Sequence, residues 1–223
     1  MASKAVLFDL DGTILDSSNR FALFLGFLCQ KYKKSSVIKV GTRYYDVSQF
    51  EDLKAIFPEP HRKIYEMLSF DLSREKHLLD FEHEDYMREH VPNLISGIDD
   101  TITKLIAKGY KIGIASSNSR EIIEKRLSYH GILSKFGVIV CEEDVKNPKP
   151  HPEPIIKCLS ILDAQREQTS FVGDLPMDIK AGKAAGVTTI GIDWGLGTYD
   201  SLARENPDYI AKSVPELERI LNL

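Results

Sequence analysis

Residues 5–13, Ala5-Val6-Leu7-Phe8-Asp9-Leu10-Asp11-Gly12-Thr13, join a short apolar segment to two aspartates and a glycine. The unbroken apolar run predicts a strand at residues 5–10 that is buried on both faces, as the strands of parallel sheets are. Asp9 and Asp11 are two residues apart, so their side chains point the same way from an extended chain. Gly12 permits a tight turn immediately afterwards. The segment therefore predicts a buried strand that presents two carboxylates at its carboxyl end.

Later segments of similar composition alternate with helical patterns. Ile98, Ile102 and Leu105 repeat at helical spacing, and Gly109 follows them as a stop signal. Strands that alternate with helices predict right-handed βαβ units and a parallel sheet. The predicted fold class is therefore α/β, with a Rossmann-like doubly wound parallel sheet. The later strands are predicted at residues 111–116, 137–141, 170–172 and 188–192.

Residues 16–95 separate the first predicted strand from the second. Apolar residues recur there at helical spacing, as at Phe21 and Phe24. A segment of this length is too long to be a loop and indicates a domain of its own. We therefore expect residues 16–95 to form a wholly helical cap domain, inserted into a Rossmann-like catalytic core made of residues 1–15 and 96–223.

The composition excludes several classes of protein. Hydrophobic residues make up 43% and charged residues 28% of the chain, which is ordinary globular usage. The net charge of −4 leaves no excess of Lys and Arg for binding nucleic acid. No apolar run approaches the ~18 residues that span a bilayer, and the cysteines form no metal or disulfide pattern. We expect a cytoplasmic protein that binds neither nucleic acid nor membrane. The sequence leaves its oligomeric state open.

Unusual polar residues follow the other predicted strands. In an open parallel sheet, ligands bind outside the carboxyl ends of the strands. Ser116-Ser117-Asn118 follows the second strand at the start of a helix, where free N–H groups suit an anion. Lys149 follows the third strand between two prolines, and Asp174 ends the fourth strand, with Asp178 in the next helix. These residues are expected to meet Asp9 and Asp11 in one crevice.

Several carboxylates in one crevice repel one another unless a cation neutralises them. Mg²⁺ suits such a site because it takes oxygen ligands and keeps several waters. A metal ion, a lysine and a helix N-terminus together favour a dianion such as phosphate. A calcium loop does not fit, because it requires glycine at its sixth position and Gly12 is at the fourth when Asp9 is counted as the first. Helix capping by Asp174 and Asp178 remains an alternative to metal binding.

Four segments, in this order, resemble the motifs of the haloacid dehalogenase-like superfamily, and in particular its phosphatases with a helical cap. Asp9-Leu10-Asp11-Gly12-Thr13 is similar to the first motif, Ser116 to the second and Lys149 to the third. Gly173-Asp174, together with Asp178, is similar to the fourth. The resemblance covers essentially the whole chain, and residues 183–186 and 191–195 also resemble stretches of phosphoglycolate phosphatases.

The resemblance implies a role for each of these residues. Asp9 would attack phosphorus and form an aspartyl-phosphate, and Asp11 would act as general acid and base. Lys149 would contact the phosphoryl group and Asp9. Phosphate contacts would come from Ser116, Ser117 and Asn118, and the register leaves Ser116 and Ser117 as alternatives for the principal ligand. Mg²⁺ would be held by Asp9, the backbone carbonyl of Asp11, Asp174 and Asp178.

The function implied is that of a Mg²⁺-dependent phosphatase acting on a small phosphorylated metabolite, either phosphoglycolate-like or a sugar phosphate. A phosphosugar mutase and a pyrophosphatase are alternatives that use the same nucleophile. Dehalogenation is not expected, because true dehalogenases lack the second aspartate that Asp11 provides. Arg43, within the predicted cap, is the candidate for contacting a substrate carboxylate or hydroxyl.

Overall fold

The computed structural model describes residues 3–56 and 61–223, in which there are two sheets. The strands are β1 (Ser3–Phe8), β2 (Val37–Val40), β3 (Arg43–Asp46), β4 (Lys111–Ala115), β5 (Val138–Val140), β6 (Ala164–Gly173), β7 (Thr188–Ile192) and β8 (Tyr209–Ala211). The α-helices are α1 (Ser18–Lys31), α2 (Phe50–Ile56), α3 (His61–Met67), α4 (Leu72–Glu89), α5 (Ile98–Ala107), α6 (Arg120–Tyr129), α7 (Glu153–Leu162), α8 (Pro176–Ala185), α9 (Tyr199–Ala203) and α10 (Val214–Ile220).

The larger sheet has six parallel strands in the order β5-β4-β1-β6-β7-β8. β1 lies between β4 and β6, with Leu7 opposite Gly113 on one side and Phe171 on the other. The chain therefore builds the sheet outward from β1 in one direction and then in the other. Ligands of open α/β sheets bind at the point where this direction changes. The predicted doubly wound parallel sheet is confirmed.

Successive residues of β1 face opposite sides of the sheet. Val6 and Phe8 belong to a buried cluster with apolar residues of α5 and α6. Ala5 and Leu7 belong to another buried cluster with residues of α7 and α8. Helices thus cover both faces, which explains why the strand is a continuous apolar run with no alternation. This burial holds the carboxyl end of β1 in place.

The chain divides into two compact units. One consists of Met1–Asp16 with Asn93–Leu223, and the other of Ser17–Pro92. The second unit has its own buried cluster, built around Phe24, Leu25 and other apolar residues of α1–α4. The predicted role of this unit as a cap over the core stays a prediction.

The prediction that the inserted segment is wholly helical is wrong. β2 and β3 form an antiparallel hairpin, in which Val40 pairs with Arg43 and Ile38 with Tyr45. Gly41, at the first position of the two-residue turn, has a φ of +63°, a backbone conformation that glycine adopts without strain. The flanking residues are mostly β-branched or aromatic, which favours strands. This hairpin therefore lies within the segment that was expected to be wholly helical.

Two further features of the core differ from the prediction. β8, which pairs with β7 through Ile190 and Tyr209, was not predicted, because three residues at a sheet edge carry little apolar pattern. β6 begins at Ala164, earlier than the predicted residue 170.

Among the helices of residues 3–56 and 61–223, none combines the length and apolar composition that crossing a membrane requires.

Candidate active site

Three polar side chains come directly after neighbouring strands of the large sheet. Asp9 follows β1, Ser116 follows β4 and Asp174 follows β6. The backbone N–H of Asp9 donates to the carbonyl of Val172 over 2.8 Å, and that of Ser116 donates to the carbonyl of Val140 over 3.0 Å. These hydrogen bonds extend the ladders past the strand ends. The backbones of these three residues are therefore held at the carboxyl ends of three adjacent strands.

Lys149 joins two of the carboxylates in the crevice. Its Nζ donates to Asp9 Oδ1 over 2.6 Å and to Asp178 Oδ1 over 2.7 Å. Lys149 is 6% exposed and Asp178 is 1% exposed, so solvent screens these ion pairs little. The contact with Asp9 was predicted, whereas the contact with Asp178 was not.

Burial changes the proton affinities in this cluster. Burial raises the pKa of Asp9 to about 7; Lys149 opposes the rise, and the Asp178 carboxylate adds to it. Burial, followed by repulsion from Asp178 and Asp9, raises the pKa of Asp174 well above its usual value. Although burial alone would lower the pKa of Lys149, the carboxylates of Asp178 and Asp9 hold it above its usual value. The site thus has more buried negative charge than one lysine neutralises.

The carboxylates of Asp9, Asp174 and Asp178 form a cluster that suits a divalent cation. Each offers an oxygen, and these oxygens lie within 4.8 Å of one another. Asp174 Oδ2 accepts from the N–H of Leu196 over 2.8 Å, whereas its Oδ1 is buried and has no hydrogen-bond partner in the described residues. A buried carboxylate oxygen without a partner is costly unless a cation completes it. The donor set is all oxygen, as Mg²⁺ prefers.

Helix capping operates in this cluster beside the contacts that suit a metal. Asp178 Oδ2 accepts from the N–H of Leu175 over 2.9 Å, at the first turn of α8. Its other oxygen, Oδ1, contacts Lys149. The alternative interpretation of Asp178 as a helix cap is therefore correct as far as one oxygen is concerned.

Gly12 leaves space for the Asp174 carboxylate. Its φ is +76°, and a Cβ added at this position would overlap the carboxylate of Asp174. The predicted turn after Asp11 is present, with the N–H of Gly12 donating to the carbonyl of Leu15 over 2.8 Å. Because glycine has no Cβ, it adopts the turn conformation without strain and lets the segment after β1 approach Asp174 closely.

The two candidate serines differ in burial. Ser116 is 6% exposed, and its Oγ accepts from the backbone N–H and the side-chain amide of Asn118 over 3.3 and 3.2 Å. Ser117 is exposed. The amide of Asn118 also donates to Asp11 Oδ2. The geometry thus places Ser116 with the other site residues, and it gives Asn118 contacts with protein side chains that were not predicted.

Arg126 was not among the predicted site residues. It lies on the buried face of α6 beside Ile123 and Leu127 and is 4% exposed. Its Nη1 donates to both carboxylate oxygens of Asp11, over 2.8 and 2.9 Å. Its place in a helical pattern suggested only packing. The signal available in the sequence was a charged residue on an apolar helix face, because such a residue requires a buried partner.

Comparison with known proteins identifies the family. The model of the family described as haloacid dehalogenase-like hydrolase matches residues 6–192. The chain belongs to the haloacid dehalogenase-like hydrolases. Pyrophosphatase PpaX of Bacillus mycoides is 32% identical, and the alignment covers 100% of this chain and 98% of that protein. Pyrophosphatase PpaX of Halalkalibacterium halodurans is also 32% identical, with 100% and 99% covered.

Solved structures of the same fold span the whole chain. A predicted phosphoglycolate phosphatase from Haemophilus somnus superposes with a TM-score of 0.76 at 19% identity, covering 98% of each chain. A putative β-phosphoglucomutase from Thermotoga maritima superposes with a TM-score of 0.75 at 21% identity, covering 99% of each chain. At these identities the likeness establishes the fold of a haloacid dehalogenase-like hydrolase and leaves the substrate open.

We expect Mg²⁺ to stabilise this haloacid dehalogenase-like hydrolase, because the cation would relieve repulsion among three buried carboxylates. At about 100 times the dissociation constant, binding adds about 2.7 kcal/mol to the free energy of unfolding, or roughly 5–10 °C in the midpoint temperature. Thermal unfolding followed by circular dichroism, with MgCl₂ or with EDTA, measures the shift. Asp174→Asn, which keeps an oxygen for the Leu196 N–H, should abolish it.

The exposed residue Asp163 provides the control for this experiment. It ends α7 with a φ of +47°, which asparagine tolerates, so Asp163→Asn should keep the full Mg²⁺ response. An equal shift in the Asp174→Asn protein and in the wild-type protein would show that the cation binds elsewhere.

Arg43 lies in β3 within the Ser17–Pro92 unit, and its side chain is exposed. It is therefore part of a hairpin strand, within a segment that was expected to be helical. Its predicted contact with a substrate carboxylate or hydroxyl stays a prediction.

Proposed function

We propose that this chain is a Mg²⁺-dependent phosphatase that hydrolyses a small-molecule phosphomonoester through an aspartyl-phosphate on Asp9. The observation that carries this proposal is the position of Asp9. Its carboxylate is buried, accepts from Lys149 over 2.6 Å and belongs to the three-carboxylate cluster. A nucleophilic carboxylate needs a group that keeps it ionised and a positive environment for the incoming phosphate. Lys149 opposes the rise in the pKa of Asp9 and so favours its ionised form, and Lys149 with a cation supplies the positive environment.

The first step transfers the phosphoryl group to the enzyme. A carboxylate oxygen of Asp9 attacks phosphorus, the bond from phosphorus to the ester oxygen breaks, and the leaving oxygen takes a proton from Asp11. Ser116 Oγ donates a hydrogen bond to a phosphoryl oxygen, and the Lys149 ammonium balances the charge on the transferred group. The products are the free alcohol and aspartyl-phosphate.

The second step returns Asp9 to its starting state. Water attacks phosphorus and gives a proton to Asp11, which the first step left as a carboxylate. The bond from phosphorus to the Asp9 oxygen breaks, and inorganic phosphate leaves. When bound, Mg²⁺ would offset the negative charge of the phosphoryl oxygens in both steps. The residues that would hold it are Asp9, Asp11 through its backbone carbonyl, Asp174 and Asp178.

Inorganic pyrophosphate is the second candidate substrate. The observation in its favour is that relatives at 32% identity over the whole chain are named pyrophosphatases. The same two steps apply, with phosphate in place of the alcohol as the leaving group. Since this group leaves more easily than an alkoxide, the reaction depends less on the proton from Asp11.

The test is release of inorganic phosphate from a panel of substrates, with MgCl₂ or with EDTA. The panel contains phosphoglycolate, several sugar phosphates, nucleoside monophosphates, p-nitrophenyl phosphate and pyrophosphate. We expect release that requires Mg²⁺ and that favours one of the esters. A clear preference for pyrophosphate would replace the monoester assignment with the second candidate.

Two other outcomes would contradict the proposal. Conversion of a sugar phosphate into an isomer without net release of phosphate would indicate a phosphosugar mutase. No phosphate from any member of the panel, by a protein that is folded and binds Mg²⁺, would exclude a phosphatase.

A further inference from the structure

The ion pair between Arg126 and Asp11 crosses from a helix to the end of a strand. Arg126 is almost wholly buried, at 4% exposure, while the Asp11 side chain is 32% exposed. One nitrogen of the guanidinium, Nη1, contacts both carboxylate oxygens of Asp11, and the Nε of Arg126 is buried without a hydrogen-bond partner among the described residues. Burying an arginine that leaves one N–H donor unsatisfied costs free energy of folding. Packing alone therefore does not explain why Arg126 is buried against Asp11.

Helix geometry explains how Arg126 reaches the site. Side chains of an α-helix lean towards its N-terminus, and α6 begins just after β4, at the edge of the sheet where Asp9 and Ser116 lie. A long side chain in the second turn of α6 therefore points back to the carboxyl ends of the strands. Asn118, between β4 and α6, contacts the same carboxylate through Asp11 Oδ2. Asn118, from the β4–α6 connection, and Arg126, from α6 itself, thus both hold the Asp11 carboxylate.

We infer that Arg126 is a positioning residue that holds the Asp11 carboxyl group in line for proton transfer. This inference rests on the proposed function, in which Asp11 protonates the leaving oxygen and then accepts a proton from water. In this role Arg126 acts through the Asp11 carboxyl group, which its Nη1 contacts. Proton transfer requires the carboxyl group within hydrogen-bond reach of its partner, and a displacement of about 1 Å costs on the order of 10²-fold in rate.

The leaving group separates this role from a structural one. An alkoxide needs a proton as the ester bond breaks, whereas p-nitrophenolate leaves without one. The value of kcat/KM reports the steps up to formation of the aspartyl-phosphate, if that step is irreversible. Loss of Arg126 should therefore lower kcat/KM for an alkyl phosphate far more than for p-nitrophenyl phosphate. A general weakening of the fold would lower both values equally.

The experiment compares Arg126→Met and Arg126→Lys with the wild-type protein on these two substrates. The alkyl phosphate is the one that the wild-type protein hydrolyses best. For R126M we expect kcat/KM to fall about 30–100-fold on the alkyl ester and less than about threefold on p-nitrophenyl phosphate. R126K keeps a cation opposite Asp11 and should lie between R126M and wild type. Lys125→Met, an exposed position on the same helix, should match wild type on both substrates.

A second readout follows from the water step. With p-nitrophenyl phosphate, R126M should form the aspartyl-phosphate at a normal rate but hydrolyse it slowly, because Asp11 is then poorly placed to accept the proton of water. A burst of p-nitrophenolate in stopped-flow measurements, equal to the enzyme concentration, is expected. With the alkyl ester no burst should occur, because the first step is slow.

Equal losses of kcat/KM on the two esters would overturn the inference. If R126M does not fold, R126K decides by the same criterion. The Asp11→Asn variant separates the failure of the inference from the failure of the proposed function. A loss in Asp11→Asn that does not depend on the leaving group would refute the proton-transfer role of Asp11, and the inference would fall with it. A dependence in Asp11→Asn that is missing in both Arg126 variants would refute the inference alone.

Discussion

Replacing Asp9 with asparagine is expected to abolish turnover, with a loss of at least about 10⁴-fold in kcat. An amide is not nucleophilic enough to attack phosphorus, so no aspartyl-phosphate forms, and neither of the two steps can proceed. Phosphate release on the best substrate of the panel measures the loss. Mass spectrometry of acid-quenched wild-type protein should show the added phosphoryl group on the peptide that contains Asp9, and the variant should lack it.

The same substitution should leave the fold intact. The amide oxygen that Asp9→Asn introduces can still accept from Lys149, and the variant no longer buries a carboxyl group whose pKa is raised to about 7 by burial. Its midpoint temperature in EDTA should therefore be at least that of the wild type. Asp163→Asn, at an exposed carboxylate at the end of α7, is the matched control and should keep full activity. Retention of more than a few per cent of wild-type turnover by Asp9→Asn would exclude Asp9 as the nucleophile.

Local sequence was sufficient to predict the framework of the site. Buried parallel strands are continuous apolar runs, and the residue that follows such a run lies at the edge of the sheet. Asp9, Ser116 and Asp174 follow β1, β4 and β6 directly, so a correct strand assignment places them. The predicted family and the predicted doubly wound sheet are both confirmed.

Contacts between distant parts of the chain could not be predicted in this way. Lys149 meets Asp178 because the loop after β5 and the first turn of α8 converge across β4, β1 and β6. No residue pattern in either segment specifies that distance. Arg126 and Asp11 are a similar pair, because the helical spacing of α6 shows which face is buried but not which strand end it approaches.

The hairpin in the inserted unit was missed for a different reason. Its strands have four residues each, and segments this short fit helix and strand patterns equally well. The turn residue Gly41 and the β-branched or aromatic residues beside it were the available signals. The apolar residues on both sides recur at helical spacing, and this longer pattern predicts a helical segment throughout.

Lys149→Met is expected to have the second largest effect on activity, a loss of about 10³-fold in kcat/KM. The ammonium of Lys149 lies 2.6 Å from Asp9 Oδ1 and 2.7 Å from Asp178 Oδ1. Without it, the nucleophile loses the cation that favours its ionised form, and the transferred phosphoryl group loses a balancing charge. Phosphate release at saturating Mg²⁺ measures the loss, since the metal does not replace a donor aimed at Asp9.

Stability in the absence of metal should fall as well. Removing one partner of a buried ion pair leaves the other charge uncompensated and costs about 3–5 kcal/mol, and here two buried carboxylates lose the same partner. Mg²⁺ should restore part of this loss, because it neutralises the same carboxylates, but it should not restore turnover. Lys146→Met, at an exposed lysine of the same loop, should change neither property. If the Lys149→Met protein unfolds like the wild type in EDTA, the buried ion pairs do not stabilise the crevice; if it keeps wild-type turnover, Lys149 has no part in phosphoryl transfer.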